Sequence, residues 1–157
     1  MDPKPVSASR VTLSQVMGPE HANLHGNVHG GWLMKLVDEA GGLASMRHAR
    51  GTVVTVAIDT MTFKEPVQLG DLVVLKAEVT YVGRTSMETR VEVTAENPFT
   101  GERTHTNTAY VVYVAIDDDG HPRPVPPLLV ETEEQRARME RARKRQADRL
   151  ARQKEKI

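Results

Sequence analysis

The segment HANLHGNVHGG, His21 to Gly31, sets three histidines four residues apart among two asparagines and three glycines. Histidine is a common metal ligand, and on a helix this spacing would align the three rings. Gly26 and Asn27 lie between the histidines, and Gly30 and Gly31 follow directly. Glycine is a poor helix former, so a loop is the better reading and the rings lose their alignment. No carboxylate or cysteine lies within the stretch. The expectation is therefore no metal site, with His21 and His25 as polar loop residues. A phosphate loop fares no better, because neither GxxxxGK[ST] nor GxGxxG is present. A more general chemistry survives. Gly30 and Gly31 lead into an apolar-periodic segment, and the first N–H groups of a helix have no partner within it. Without side chains in the way, a substrate oxygen can approach those donors closely.

The segment that follows, Trp32 to Met46, reads as a helix. Leu33, Leu36, Val37, Ala40, Leu43 and Ala44 recur at helical spacing and make one apolar face. Asp38 lies off that stripe, with Gly41, Gly42 and Ser45 on its own side. Two interior glycines cost roughly 1 kcal/mol each against alanine. A helix, a strand or a ligand must therefore approach that face closely. A carboxylate beside a glycine-lined face, downstream of an open loop, is a candidate base.

The elements that must position these groups are mostly strands. SRVTLSQVM reads as a short strand before the helix, and four β-runs follow it. TVVTVAIDTMTF is nearly continuous in β-formers. DLVVLKAEVTYV alternates, with Val73, Leu75, Ala77, Val79 and Tyr81 on one face. In TSMETRVEVTAE, Met87, Thr89, Val91, Val93 and Ala95 oppose Glu88, Arg90, Glu92, Thr94 and Glu96. THTNTAYVVYVAI is the last. Tight connections at Val82–Arg84 and Asn97–Glu102 suit antiparallel neighbours. The prediction is α+β: a curved antiparallel sheet of about five strands around one central helix, with one sheet face solvated, which is the hot-dog layout, although the pattern alone also admits other α+β folds.

The 157 residues make one ordinary domain, predicted over residues 11–120, after a flexible N-terminus at 1–10. A proline-rich connector, 121–130, leads to a charged C-terminal helix, 131–157. Lysine plus arginine and aspartate plus glutamate are 21 each, but ten of the bases and only six of the acids lie in Glu131 to Ile157. That tail would reach about 40 Å as a helix. Its weak apolar stripe predicts a helix that is solvent-exposed, frayed or packed along a neighbouring subunit. The run RARKRQADR invites a nucleic-acid reading, but acids are interspersed and the tail has no aromatic residue. No nucleic-acid or membrane partner is expected: there is no apolar run near a membrane span and no apolar leader at the N-terminus. The absence of cysteine fits a reducing, cytoplasmic location.

ANLHGNVHGGWLMKLVDEAGG resembles the signature of the hot-dog acyl-CoA thioesterases, specifically the bacterial broad-range and brain-type cytosolic acyl-CoA hydrolases. The resemblance lies in Asn23, Gly26, His29, Gly30, Gly31, Met34, Asp38, Glu39, Ala40 and Gly41. VVTVAIDTMTFKEPVQLGDLV, YVGRTSM and AYVVYVAIDDDGHPRPVPPL extend it from about Val11 to about Leu128. It implies hydrolysis of acyl-CoA to a free acid and CoA. The acid and asparagine at the places of Asp38 and Asn23 come from different subunits of a dimer, and some members form trimers of dimers, hence hexamers. Within that implication, Asp38 deprotonates a water or attacks directly, and Asn23 orients the water. The Gly30 and Gly31 N–H groups bind the oxyanion. No metal or cofactor is needed.

For CoA, Arg84, Thr85 and Ser86 offer a cation, two hydroxyls and backbone donors at a strand start, with a plain β-turn as the alternative reading. Lys64 is another possible phosphate partner. His29 and Trp32 are candidates for contact with the substrate, Trp32 equally for packing. The rival function is a non-catalytic acyl-CoA-binding regulator. A hot-dog dehydratase is a third reading, but its histidine–carboxylate motif has no match here.

Overall fold

The computed structural model describes residues 1–59 and 61–155. The elements run β1 (Lys4–Pro5), β2 (Val11–Val16), α1 (Gly30–Ala49), β3 (Val53–Ile58), β4 (Leu72–Val82), β5 (Ser86–Glu96), β6 (Arg103–Ala115), β7 (Leu128–Leu129) and α2 (Glu133–Glu155). Five strands form one antiparallel sheet in the order β2-β4-β5-β6-β3, and α1 packs across one face. This is the hot-dog arrangement. The alternation in β4 and β5 sends Val73, Leu75, Val79, Met87, Val91 and Val93 into the core against Leu33, Leu36, Val37 and Ala40 of α1. Burying each such side chain contributes about 1.5–3 kcal/mol, so the two periodicities jointly fix which faces meet.

Register sets one row across the sheet that matters for the site. Thr55 of β3 pairs with Tyr113 of β6, Tyr113 with Met87 of β5, and Met87 with Val82 of β4. A bulge between Thr55 and Ala57 breaks β3, and the strand ends at Ile58, before the end of the predicted run, of which Thr60 lies outside the described residues. Its last neighbour, Asp59, meets Arg149 at 3.2 Å.

Three expectations change. The segment 1–10, expected to be flexible, is tied to the fold from Lys4 onward: β1 pairs in parallel with β7, and Lys4 Nζ donates to the carbonyls of Arg47 and His48 at 2.9 and 2.8 Å. Those carbonyls end α1, where a helix has unpaired acceptors. The buried Ser9 Oγ also accepts from the Val79 N–H at 2.9 Å. Leu43 is 40% exposed, so it leaves the apolar stripe.

The third change concerns the tail, whose last two residues lie outside the described ones. It is fastened to its own chain. Helix α2 packs on the sheet face opposite α1 of its own chain. Arg138 pairs with Glu78, Arg145 with Glu88 and Arg149 with Asp59, and Ala142 between them is fully buried. Positions 138, 142, 145 and 149 make one helical stripe. The stripe is basic rather than apolar, so a search for apolar periodicity passes over it. The face predicted to be solvated is thereby partly covered, and Glu88 is only 1% exposed.

Candidate active site

Helix α1 begins where its sequence allows. The residue before it, His29, has extended backbone, and its Nδ1 accepts from the Gly31 N–H at 2.9 Å. The imidazole thus caps the helix. This divides the two glycines that the sequence treats alike. The Gly31 N–H is engaged by His29, whereas no described residue accepts from the Gly30 N–H. Phe63 lies 3.5 Å from where a Gly30 side chain would begin, an ordinary contact.

Asp38 sits two turns into α1, half-buried. Its Oδ1 accepts from Thr55 Oγ1 at 2.8 Å and from the Tyr113 hydroxyl at 3.1 Å. The same hydroxyl is 3.0 Å from the Asp38 carbonyl oxygen. No described residue donates to Oδ2. Burial first, and then the Asp38 carboxylate beside it, hold the Tyr113 phenol well above its ordinary pKa, so the hydroxyl keeps its proton. Around these groups lies a groove of about 400 Å³, lined by Leu13, Gly42, Leu43, Met46 and Val53 as well as Asp38, Thr55 and Tyr113. A carboxylate with one tethered oxygen and one free oxygen, at the side of an apolar groove, can take a proton from water or attack an electrophile.

Neither Thr55 nor Tyr113 is among the residues that sequence reasoning selects. The signal for Tyr113 was present but unaddressed. A Gly41 side chain would start 2.5 Å from the Tyr113 hydroxyl oxygen, so the tyrosine is what approaches the glycine face. The same atom at Gly42 would sit 3.7 Å from the ring, in ordinary contact.

The other predicted residues are more scattered. Asn23 forms the turn before α1, its Oδ1 accepting from the N–H groups of His25 and Asn27 at 2.9 and 3.2 Å. No hydrogen bond joins it to Asp38 within the chain. Arg84 and Thr85 lie in the β4–β5 turn and Ser86 opens β5, beside the Met87–Val82 end of the cross-strand row. The Arg84 carbonyl accepts from Val125 at 3.0 Å, strapping the connector to the turn. Arg84 also borders a cavity of about 420 Å³ with Tyr81, Pro124 and Arg143. Lys64 is exposed on the loop after β3. Trp32 packs on the buried ring of His21, 4.5 Å between centroids, under Lys35 Nζ at 5.0 Å. His21 is therefore a core residue and not a polar loop histidine. A larger cavity, about 730 Å³, lies between Met34, Phe63 and Tyr110 on one side and Arg145 and Arg152 of α2 on the other. It does not include Asp38.

Among the described residues Asp117, Asp119 and His121 come within 4.8 Å of one another, all exposed. The Asp117 carboxylate there accepts the N–H groups of Asp119 and His121 within its own turn.

An uncharacterized acyl-CoA thioester hydrolase of Bacillus subtilis is 37% identical over 152 residues, covering 91% of this chain and 88% of that one. This chain belongs to the thioesterase superfamily. The superfamily profile itself matches residues 25–101, from just before the α1 cap to the β5–β6 turn. The cytosolic acyl coenzyme A thioester hydrolase of mouse is 35% identical over 141 residues and 88% of this chain. The chain spans only 37% of that relative's length. Among solved structures, an apo-hexameric acyl-CoA thioesterase superposes with a TM-score of 0.92 at 38% identity, covering 97% of each chain. The acyl-CoA hydrolase of Staphylococcus aureus, solved with butyryl coenzyme A and coenzyme A, superposes with a TM-score of 0.89 at 31% identity, covering 98% of this chain and 93% of that one. Variants of the S. aureus protein with an aspartate, an asparagine or a threonine replaced by alanine have also been solved. Among the described residues no helix is long and apolar enough to cross a membrane.

Proposed function

We propose that this thioesterase-superfamily chain hydrolyses acyl-CoA thioesters to a free carboxylic acid and CoA. The observation that carries the reading is the Asp38 carboxylate, tethered through Oδ1 and free at Oδ2, in an apolar groove that suits an acyl group. In the base route, Oδ2 takes a proton from water and the water oxygen bonds to the thioester carbon. Gly30 lies eight residues, about 12 Å, before Asp38 on α1, so the oxyanion is met by the Gly30 N–H of a second subunit, at the positive end of its helix. Collapse breaks the C–S bond, and the CoA sulfur leaves with the proton from Asp38. In the nucleophilic route Oδ2 itself attacks the thioester carbon and the C–S bond breaks, releasing CoA thiolate and an anhydride; water then opens the anhydride to the free acid and the Asp38 carboxylate, and the proton released goes to the thiolate. Gly31, tied to His29, supports the oxyanion donor by capping rather than by donating.

The relatives' residue types support the same site. In the S. aureus protein the replaced asparagine, aspartate and threonine are separated by fifteen and seventeen residues. Asn23, Asp38 and Thr55 have the same separations here. Asn23 does not reach Asp38 within its own chain, which favours an Asn23 amide supplied by a second subunit to orient the water. Strand β3 supports such a dimer: it is a sheet edge with Val54 and Val56 41% and 52% exposed. Edge backbone of this kind is a template for pairing with another chain. The hexameric neighbour supports assembly into trimers of dimers. Arg84, Thr85 and Ser86 remain the phosphate-docking candidates, with Lys64 secondary. No metal or cofactor enters either route. The mouse relative's cytosolic name and the cysteine-free sequence support a cytoplasmic location.

The test is thiol release from a panel of acyl-CoAs, with Asp38→Ala beside the wild type. Loss of at least about 10²-fold in kcat with the oligomer intact supports the reading. Saturable acyl-CoA binding without wild-type turnover sinks it and favours the regulator.

A further inference from the structure

An aspartate in the middle of a helix has two free side-chain torsions, and a base must hold its oxygen within a fraction of an ångström of the attacking water. Thr55 alone gives one hydrogen bond to one oxygen. Tyr113 adds something different. Its hydroxyl lies 3.1 Å from Oδ1 and 3.0 Å from the carbonyl oxygen of the same residue, so one phenol spans the side chain and the backbone of Asp38. The ring is 1% exposed and held in the central row of the sheet between Thr55 and Met87. It is therefore a rigid anchor, and the anchor point is fixed relative to the helix axis. Gly41 is the condition for it, since any side chain there would begin 2.5 Å from the hydroxyl. The glycine's cost to the helix is the counterpart of that contact.

We propose that Tyr113 is a positioning residue for the hydrolysis: together with Thr55 it ties down Oδ1 of Asp38, so that Oδ2 is the oxygen presented to water or to the acyl carbon. This rests on the thioesterase reading above. Gly41 belongs to the same device, as the gap through which the phenol reaches the helix. Tyr113 also borders the groove, so its ring packs beside the acyl group while its hydroxyl serves the carboxylate.

The experiment uses the full chain with Tyr113→Phe, which keeps the ring and removes the donor, and Gly41→Ala, which keeps the tyrosine and displaces its hydroxyl. Both are expected to lose about 10–100-fold in kcat, the scale of one hydrogen bond to a charged group, with KM within about twofold of wild type. A loss that appears mainly as raised KM marks a packing role and overturns the inference. The second readout does not depend on turnover. In protein carrying carbon-13 at the tyrosine Cζ, one of three resonances disappears in Tyr113→Phe and so identifies Tyr113. That resonance is expected to shift in Asp38→Ala, because the hydroxyl loses the charged carboxylate and keeps only the neutral carbonyl of residue 38 as acceptor. An unmoved resonance overturns the inference even where kcat falls. Unchanged kcat in Tyr113→Phe beside an active wild type overturns this inference alone. A wild type with no turnover overturns the hydrolase reading and takes the positioning role with it.

Discussion

Removing Arg145 should loosen the C-terminal helix and the sheet together. Its guanidinium forms a fork on Glu88, Nε to Oε2 at 2.9 Å and Nη2 to Oε1 at 2.8 Å, and lies 3.7 Å from the Tyr110 ring centroid. At an effective dielectric constant near 20, two charges 2.8 Å apart attract by about 6 kcal/mol. Desolvation of both groups offsets most of this, so the pair itself is worth much less. The variant tells a different story. In Arg145→Ala the Glu88 carboxylate, 1% exposed, keeps only the Thr80 hydroxyl at 2.8 Å as a donor. An uncompensated buried charge of this kind destabilises by about 3–5 kcal/mol. Arg145 is one-quarter exposed, which admits water and sets the expectation at the low end, about 3 kcal/mol. For a chain of 157 residues that corresponds to a fall in Tm of about 6–12 °C. The assay is denaturant and thermal unfolding at one fixed protein concentration, because an oligomer's Tm depends on concentration. Arg145→Met combined with Glu88→Leu should recover most of the loss, since an apolar pair leaves no charge behind. A loss below about 1 kcal/mol in Arg145→Ala would mean an ordinary surface bridge, and α2 would not be fastened as described.

Two further outcomes follow from the same structure. Burial lowers the pKa of His48, the hydrogen bond to the Pro126 carbonyl opposes this, and Lys4 reinforces it. The unfolded chain therefore takes up this proton first, near pH 6.5, and stability falls as the pH drops below that value, by at most about 1.4 kcal/mol per pH unit. Urea midpoints at pH 7.5, 6.5 and 5.5 should show that slope in wild type and a flatter one in His48→Gln; parallel slopes refute it. Val56→Lys places a charge on the exposed edge of β3, where a two-fold partner would present the same lysine. Sedimentation should show smaller species; an unchanged oligomer moves the interface elsewhere.

The elements of the fold were largely legible because each rests on a local period. Alternation in β4 and β5 and the stripe in α1 announce their faces within a dozen residues. Asp38 was legible too, as a carboxylate on a glycine-lined side of that helix. Its partners were not. Thr55 lies in a run rich in β-formers and Tyr113 in another, and nothing local marks one threonine or tyrosine there as the donor. Their selection depends on the register that sets Thr55 opposite Tyr113 and on the angle at which α1 crosses that row.

The sequence by itself determined the strand–helix–strand order, the inward faces, the glycine entry to α1 and the position of the acid. These are properties of neighbouring residues, where steric preference and hydrophobic period act directly. Tertiary structure alone decided three things. The Gly41 gap is filled by Tyr113. The Gly31 N–H goes to His29 and leaves Gly30 as the open donor. Glu88, outward by its period, is buried because a basic stripe on α2 folds back over it. Each is a meeting of groups across space, and alternation in one strand reads the same whether its outer face meets water or a helix.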